Sequence, residues 1–346
     1  AFKEAQRLDP DNPSLSHLEI VLLAGQGRTE EVKARAEFWA LRLTKLGYGN
    51  DPIVELMRQV AQNPDYLGQM LSKQGIHGIF DVSFEDVQAL AALVDKLPSP
   101  ISLYTLTPIQ DSEGNETAGP LVPTKKLRDI TKEWWDLYYD EEENICNIWY
   151  DPSWLEWIAE NPKAWMSFEI LEAIVETFSE PFFDEASHDL LDKIEQKLLS
   201  HAVELLKLVI AKNGTEDLGL EWGWLENRSA LRLLMWHIDQ FSGADELSLL
   251  EWLVLRLNPS DNSGHRGRLL HAYCLAGRAS DALALCERYP DDHMAEMLYG
   301  KVLAKYVSGD ISGAAKALAY AGKERPKVLR TLIATRPKEP DLRQGL

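Results

Sequence analysis

The chain has 346 residues, with 36 basic and 55 acidic side chains and a formal net charge of -19 at pH 7. This length allows two or three domains of about 150 residues each. With 45% hydrophobic and 26% charged residues, the composition is that of an ordinary globular protein. The acidic excess disfavours proteins that bind nucleic acid or anionic lipid surfaces, because like charges repel.

Cysteine usage and hydropathy favour a cytoplasmic protein. The three cysteines, Cys146, Cys274 and Cys286, are odd in number and form no Cys-x-x-Cys pair, so neither a disulfide framework nor a cysteine zinc site is indicated. The sequence has no run of about 18 uncharged apolar residues, and its amphipathic start does not resemble a secretion signal. We therefore expect no membrane insertion.

The first predicted elements are paired helices. Phe2, Ala5 and Pro10 are spaced like the end of a helix that packs inward and stops at a proline. A second pair of antiparallel helices is predicted over 13–46, with a tight corner at Gly27. Because the first helix has no partner before it, we expect the chain to be a fragment of a longer protein, or this helix to be irregular.

The next stretch is predicted to be helical up to Pro98 and extended after it. Apolar spacing over 52–97 predicts helices, with Ser83 as an N-cap. Residues 99–123 combine β-forming side chains with a polar loop rich in Gly and Pro, which predicts a short strand or an extended excursion. This segment is the expected domain boundary and the expected flexible segment.

The middle of the chain is rich in tryptophan: six of the 11 tryptophans fall between Trp134 and Trp165. One interpretation is that their rings fill large, irregular contacts between helices. The other is an exposed patch that binds a partner, since Trp and Tyr dominate interface hot spots. Trp154 and Trp157 are the predicted partner-binding residues of this patch, and their burial decides between the two interpretations. Long amphipathic helices are predicted to follow over 167–208.

The C-terminal third is predicted to repeat a pair of helices. The predicted pairs, in chain order, are 226–257, 258–290 and 294–321. Gly277 and Gly309 mark the corners of the last two pairs and are 32 residues apart, and Ala282 and Ala314 show the same offset. This offset is close to the period of about 34 residues of a tetratricopeptide repeat.

On these residues the sequence resembles tetratricopeptide proteins, most specifically over 226–321 and also over 1–46. The stretches ENRSALR, LRLNPSDNSGHRG and LAGRASDALALCERYPDD are also similar to the C-terminal block of a mostly uncharacterised group of bacterial repeat proteins. Some members carry a cysteine-rich zinc knuckle, which has no counterpart here. The resemblance implies an α-helical superhelix whose first helices line a concave, partner-binding groove.

No catalytic motif is present. The sequence lacks a phosphate-binding loop, a Rossmann fingerprint, a His-Glu-x-x-His motif and a Gly-x-Ser-x-Gly elbow. The eight histidines have no metal-ligand spacing, and the acidic run at 140–143 lacks the glycine and donor pattern of a calcium loop. Cys274 and Cys286 are expected to be packing residues. We therefore expect no catalytic residues, no metal and no cofactor.

One group of cations stands out from the acidic background. Arg228 and Arg232 lie four residues apart on one predicted first helix, and His265, Arg266 and Arg268 begin the next first helix. In a tetratricopeptide-like groove these groups can receive an acidic peptide or a terminal carboxylate, which guanidinium groups bind in a bidentate manner. The alternative is that the arginines pair with carboxylates of neighbouring helices and hold the repeats together.

The sequence thus predicts an all-α, tetratricopeptide-like superhelix with a Trp-rich irregular helical middle and possibly one short strand excursion. The predicted regions are 1–98, 99–123, 124–220, 221–335 and a tail at 336–346. The predicted function is that of a non-catalytic scaffold or adaptor that binds a peptide or helix of a partner protein, and not nucleic acid or membrane. Two alternatives stay open: a regulatory portion of a longer enzyme or effector, and an enzyme whose site lies in the middle region.

Overall fold

The computed structural model describes residues 12–25, 28–49, 52–64, 66, 82–110, 116–140, 144–145, 148–150, 152–179, 183, 185–213 and 219–335. Within these ranges the chain is mostly helical and has two small antiparallel pairs of strands. The chain forms two compact units. The N-terminal unit comprises Ala1–Lys96, Lys132–Asn161 and Glu176–Ile194, and the C-terminal unit comprises Leu97–Thr131, Pro162–Val175 and Glu195–Leu346. The Trp-rich range 124–220 is therefore shared between the units.

The α-helices of the described residues are short, apart from one of 29 residues. They are α1 (Pro13–Gly25), α2 (Thr29–Leu43), α3 (Pro52–Gln62), α4 (Phe84–Val94), α5 (Lys125–Tyr138), α6 (Trp154–Glu160), α7 (Phe168–Glu176), α8 (Glu185–Asn213), α9 (Leu225–Asp239), α10 (Gly243–Glu251), α11 (Arg266–Leu275), α12 (Ala279–Arg288), α13 (Ala295–Val307), α14 (Ile311–Glu324) and α15 (Pro326–Leu332). The strands are β1 (Tyr104–Gln110), β2 (Glu116–Pro123), β3 (Tyr139–Asp140) and β4 (Asn144–Ile145). Single π-helical turns, Thr44–Tyr48 and Trp252–Leu257, extend α2 and α10.

The N-terminal unit begins with the predicted helix pair. α1, α2 and α3 pack against one another, and the inward positions Val32, Ala36 and Trp39 are all buried. Arg35 and Trp39 of α2 both donate hydrogen bonds to the carboxylate of Glu19 on α1, at 2.7 and 2.5 Å. The helix pair over 13–46 is thus confirmed, whereas Phe2, Ala5, Pro10 and Gly27 lie outside the described residues.

Later in this unit, Ser83 caps α4 as predicted. Its hydroxyl oxygen accepts the backbone N–H of Asp86 at 3.1 Å, which satisfies one of the unpaired donors of the first turn. α4 in turn contacts α6, which belongs to the Trp-rich segment.

The extended excursion is a β-hairpin packed in the C-terminal unit. β1 and β2 pair antiparallel, with a register shift between Leu106 and Pro108. The hairpin is tied down at both strands, because Asn213 accepts the N–H of Leu106 and the buried Asn227 of α9 accepts that of Leu121. The predicted extended excursion is therefore confirmed as two strands, and its flexibility stays a prediction.

The C-terminal helices follow the predicted pairs. The two predicted corner glycines, Gly277 and Gly309, have left-handed backbone conformations with φ of 70° and 86°, and Gly243 at the corner of the preceding pair has φ of 68°. After α11, the N–H of Gly277 bonds to the carbonyl of Cys274, and the N–H of Arg278 bonds to the carbonyl of Tyr273. This pair of bonds is a Schellman motif, and Gly309 closes α13 in the same way.

We expect Gly277→Ala to lower the free energy of unfolding by about 1 kcal/mol, because alanine is strained at positive φ. A Cβ atom at this position would contact nothing within 4 Å, so the backbone conformation alone causes the loss. Gly223→Ala is a matched control: its Cβ would also meet open space, and its φ lies outside the left-handed region. Urea unfolding followed by circular dichroism measures both variants. Equal stability of the two variants would contradict a left-handed corner at Gly277.

Candidate functional site

The C-terminal unit contains a cavity of about 1100 Å³ lined by α11, α13, α14 and α15. Two of these helices, α11 and α13, approach each other closely at Gly300. A Cβ atom on Gly300 of α13 would lie 2.4 Å from Cδ2 of Leu270 on α11, so only glycine fits there without a shift. The small residue therefore lets α13 lie close against α11, and Gly300 itself lines the cavity.

The cavity walls carry large apolar side chains that are exposed to solvent. Those that both line the cavity and are exposed are Met294, Leu303, Tyr306, Ile311, Leu318, Leu332 and Ile333. We call the surface formed by these seven side chains the apolar groove. Contiguous exposed apolar surface of this kind is typical of interaction sites, because its hydration is unfavourable.

The segment of the chain that forms most of the apolar groove has a basic composition. From Ala295 to Thr335 the chain carries seven basic and three acidic side chains, a net charge of +4 in a protein of net charge -19. The basic residues of this segment are Lys301, Lys305, Lys316, Lys323, Arg325, Lys327 and Arg330. This end of the chain therefore differs in sign from the rest.

Two of the predicted site residues, Arg266 and Arg268, line the cavity. Arg266 forms ion pairs with Asp261 and Asp292, whose side chains are 0% and 3% exposed. Asp261 also accepts the backbone N–H groups of His265 and Arg266 at 2.9 and 2.8 Å, so it caps the start of α11. The two ion pairs hold the Arg266 guanidinium in place, and the backbone bonds hold the start of α11.

Arg268 links its helix to the preceding pair. It forms ion pairs with Asp239 at the end of α9 and with Glu246 of α10, the latter at 2.7 Å. This arrangement matches the alternative interpretation, in which the arginine holds neighbouring helix pairs together. His265 lies beside these groups, and burial lowers the pKa of its imidazole, which favours the neutral form.

The remaining two arginines do not line the cavity. Arg228 donates to the carbonyl of Trp222 at 3.1 Å, and the Arg228 and Arg232 guanidinium groups lie 5.4 and 5.9 Å from the Trp222 ring. Arg232 also forms an ion pair with Glu172, whose side chain is 11% exposed. The structure therefore does not gather all five predicted cations into one site.

Four tryptophans of the N-terminal unit, Trp134, Trp149, Trp154 and Trp157, form a packed cluster. Trp154 is fully buried, with edge-on contacts to Trp134 and Trp149 at ring distances of 5.8 and 5.2 Å. Trp157 is half-buried and packs against Trp134. The prediction that Trp154 contacts a partner is corrected, because a side chain without exposed surface cannot do so. Trp157 keeps part of its surface exposed.

The cysteines of the described residues are buried, and the described side chains form no cluster suited to a metal ion. Cys274 and Cys286 are buried thiols, and burial raises the pKa of Cys286 to about 11, which keeps it protonated at neutral pH. No cluster of three His, Cys, Asp or Glu side chains suited to a metal ion occurs in the described ranges. In the same ranges, no helix combines the length and apolarity needed to span a bilayer.

No protein-family model, curated protein or solved structure matches this chain. The resemblance to tetratricopeptide proteins therefore stays a prediction.

The apolar groove carries no charged motif that would mark it in the sequence. A signal was present in α13, where apolar residues occupy more than one face: Met297 and Leu298 are buried, whereas Leu303 and Tyr306 are exposed. A surface helix normally has a single apolar stripe. A second apolar face on a helix with a filled core face indicates an interaction surface.

Proposed function

We propose that this protein is a non-catalytic adaptor that binds an amphipathic helix of a partner protein, with acidic side chains beside its apolar face, in the apolar groove. The observation that carries the proposal is the cavity of about 1100 Å³ with exposed apolar walls. This volume exceeds the range of about 300 to 1,000 Å³ typical of small-molecule pockets. Docking of a helix through residues at i, i+3, i+4 and i+7 is a common mode of peptide recognition.

A tetratricopeptide-like superhelix is part of the proposal. Its support is that α11 contacts α12 and α13, and α13 contacts α14, so each helix packs on its neighbours in sequence. The left-handed corners at Gly277 and Gly309, 32 residues apart, add to this support. In such an array α11, α13 and α15 are first helices, and first helices line the concave face. We further propose a reducing, cytoplasmic location, which suits the buried thiols of Cys274 and Cys286.

The choice of an acidic partner rests on charge complementarity. The segment that forms most of the groove, Ala295 to Thr335, has a net charge of +4. The acidic remainder of the protein is screened over distances beyond about 10 Å at 0.1 M salt. A partner helix with glutamates beside its leucines is therefore attracted at the groove and weakly repelled elsewhere.

Binding of designed peptides tests this proposal. Two fluorescent peptides of about 15 residues share a leucine face and differ only in whether the polar face carries Glu or Lys. We expect the acidic peptide to bind the full chain at least about tenfold tighter than the basic one in fluorescence anisotropy at about 0.1 M salt. Leu303→Glu is expected to weaken that binding at least about tenfold, because it places a carboxylate in the groove.

The matched control is Leu275→Glu. Leu275 lies on α11 and is 76% exposed, but it does not line the cavity, so this variant is expected to bind like the unaltered chain. Equal affinity for both peptides, no binding of either, or no effect of Leu303→Glu would overturn the proposal. Binding only to a chain that ends at Thr335 would also overturn it, because residues 336–346 would then occupy the groove themselves.

A further inference from the structure

A second cavity, of about 370 Å³, lies on a different face of α13. Three lysines line it: Lys301 and Lys305, one turn apart on α13, and Lys316 on the adjacent α14. His293, from the turn before α13, lines the same cavity. We call this cavity the lysine pocket. Its lining shares Asp292 and Met297 with the first cavity, but the apolar groove uses Leu303 and Tyr306 on another side of the helix.

The lysine pocket has an excess of positive charge. Its one lining carboxylate, Asp292, is 3% exposed and already engaged by Arg266 and by the backbone N–H of Met294. Lys305 bonds to the Asp310 carboxylate at 3.0 Å. In the part of the chain that the structure describes, no ion pair joins Lys301 or Lys316 to a carboxylate. The Asp310 carboxylate also interacts electrostatically with Lys316, but it forms its direct ion pair with Lys305, so Lys301 and Lys316 keep donors for a ligand.

The rest of the lysine pocket is apolar and aromatic. Met297, Leu298 and Ala317 contribute apolar surface, and the ring of Tyr320 is 48% exposed at the edge. A ring on the ligand can pack against Tyr320 in an offset or edge-on arrangement. The volume of about 370 Å³ falls in the range of pockets that hold small organic molecules. The walls thus suit an anion with an apolar or aromatic body better than a bare ion.

We propose that the lysine pocket binds a small organic phosphomonoester, with its phosphate between Lys301 and Lys316 and its organic group against the apolar wall. A phosphomonoester carries a charge of about −1.5 to −2 at neutral pH, which matches two ammonium groups. Lysine binds phosphate as a compact point charge with three donors. This site is separate from the proposed helix-binding function and does not depend on it.

Calorimetric titration of the full chain with phenyl phosphate, inorganic phosphate and phenol tests the proposal. We expect phenyl phosphate to bind at least about tenfold tighter than either of the other two, because only it satisfies both the lysines and the apolar wall. Its affinity should fall as salt is raised. The double variant Lys301→Met with Lys316→Met is expected to weaken binding at least about tenfold.

Two controls keep the result specific. Lys323→Met removes an exposed lysine of α14 that does not line the pocket, and should leave the affinity unchanged. Leu303→Glu tests independence from the apolar groove and should also leave it unchanged. The proposal is overturned by absent binding of phenyl phosphate, by equal binding of inorganic phosphate, or by full affinity in the double lysine variant. Because Lys301 and Lys316 are exposed, their replacement by methionine is not expected to disturb folding.

Discussion

Trp154→Ala is expected to lower the free energy of unfolding of the N-terminal unit by about 3 to 5 kcal/mol. The side chain is fully buried and contacts the rings of Trp134 and Trp149 edge-on. Its removal loses both the apolar burial and two aromatic contacts, each worth about 0.5 to 1.5 kcal/mol. The midpoint of urea unfolding, followed by tryptophan fluorescence, measures the loss.

Trp154→Phe separates packing from hydrogen bonding in the same position. Among the residues that the structure describes, the indole N–H of Trp154 has no hydrogen-bond partner, and a buried donor without one costs about 1 to 3 kcal/mol. Phenylalanine removes this donor and keeps one ring, so its expected loss is well below that of alanine. Equal destabilisation by alanine and by phenylalanine would contradict this expectation, because phenylalanine keeps a ring in the core and removes the unpaired donor. A Trp154→Ala variant as stable as the unaltered chain would contradict the burial of the Trp154 ring in the core.

Local backbone chemistry is what the sequence predicted best. The corner at Gly277 and the cap at Ser83 follow from the conformational freedom of glycine and the reach of a hydroxyl, which depend on neighbours a few residues away. The spacing of Val32, Ala36 and Trp39 likewise identified a buried helix face from a short window. Each of these features is decided within one or two turns of the chain.

The roles of the arginines depend on partners that no local pattern reveals. Arg232 meets Glu172, 60 residues earlier, and Arg268 meets Asp239, 29 residues earlier. A cation near the start of a helix looks the same in sequence whether a distant carboxylate reaches it or not. For this reason the arginines suggested a ligand site, whereas the structure gives most of them carboxylate partners within the chain.

The packing of the hairpin also depends on residues that are distant in the sequence. Its composition, rich in Gly, Pro and polar residues, predicted an extended and flexible segment. Two distant asparagines, Asn213 and the buried Asn227, hold one backbone N–H on each strand. Because a buried backbone group without a partner is costly, these two side chains decide whether the hairpin packs.

The sequence pattern of the apolar groove does not distinguish it from the core. Its residues are ordinary helix formers such as Leu303 and Leu318, and only their exposure distinguishes them from core residues. Exposure follows from how α11, α13, α14 and α15 pack, which is a property of the assembled helices. The candidate site is therefore a consequence of tertiary structure, with the second apolar face of α13 as its one trace in the sequence.

Arg266→Met is expected to lower the free energy of unfolding of the C-terminal unit by about 3 to 5 kcal/mol, because it leaves two buried carboxylates without a positively charged partner. Asp261 and Asp292 are 0% and 3% exposed, and both pair with this guanidinium. Asp261 also has a left-handed backbone, with φ of 47°, and caps α11 through its carboxylate. The ion pairs therefore hold together a strained turn and the start of a helix that lines the groove.

Arg288→Met is the matched control for that variant. Both guanidinium groups lie over the Tyr289 ring, at 5.0 Å for Arg266 and 6.0 Å for Arg288, but Arg288 is exposed and forms no ion pair with a described carboxylate. Its expected loss is below about 1 kcal/mol, the value of an exposed cation–π contact. Adding Asp292→Asn to Arg266→Met should restore at least about 1 kcal/mol, since one buried charge is removed while an acceptor for the Met294 N–H is kept. Equal losses for Arg266→Met and Arg288→Met, or no recovery with Asp292→Asn, would show that the ion pairs of Arg266 do not stabilise the fold. Arg266 would then again be a candidate for binding a partner.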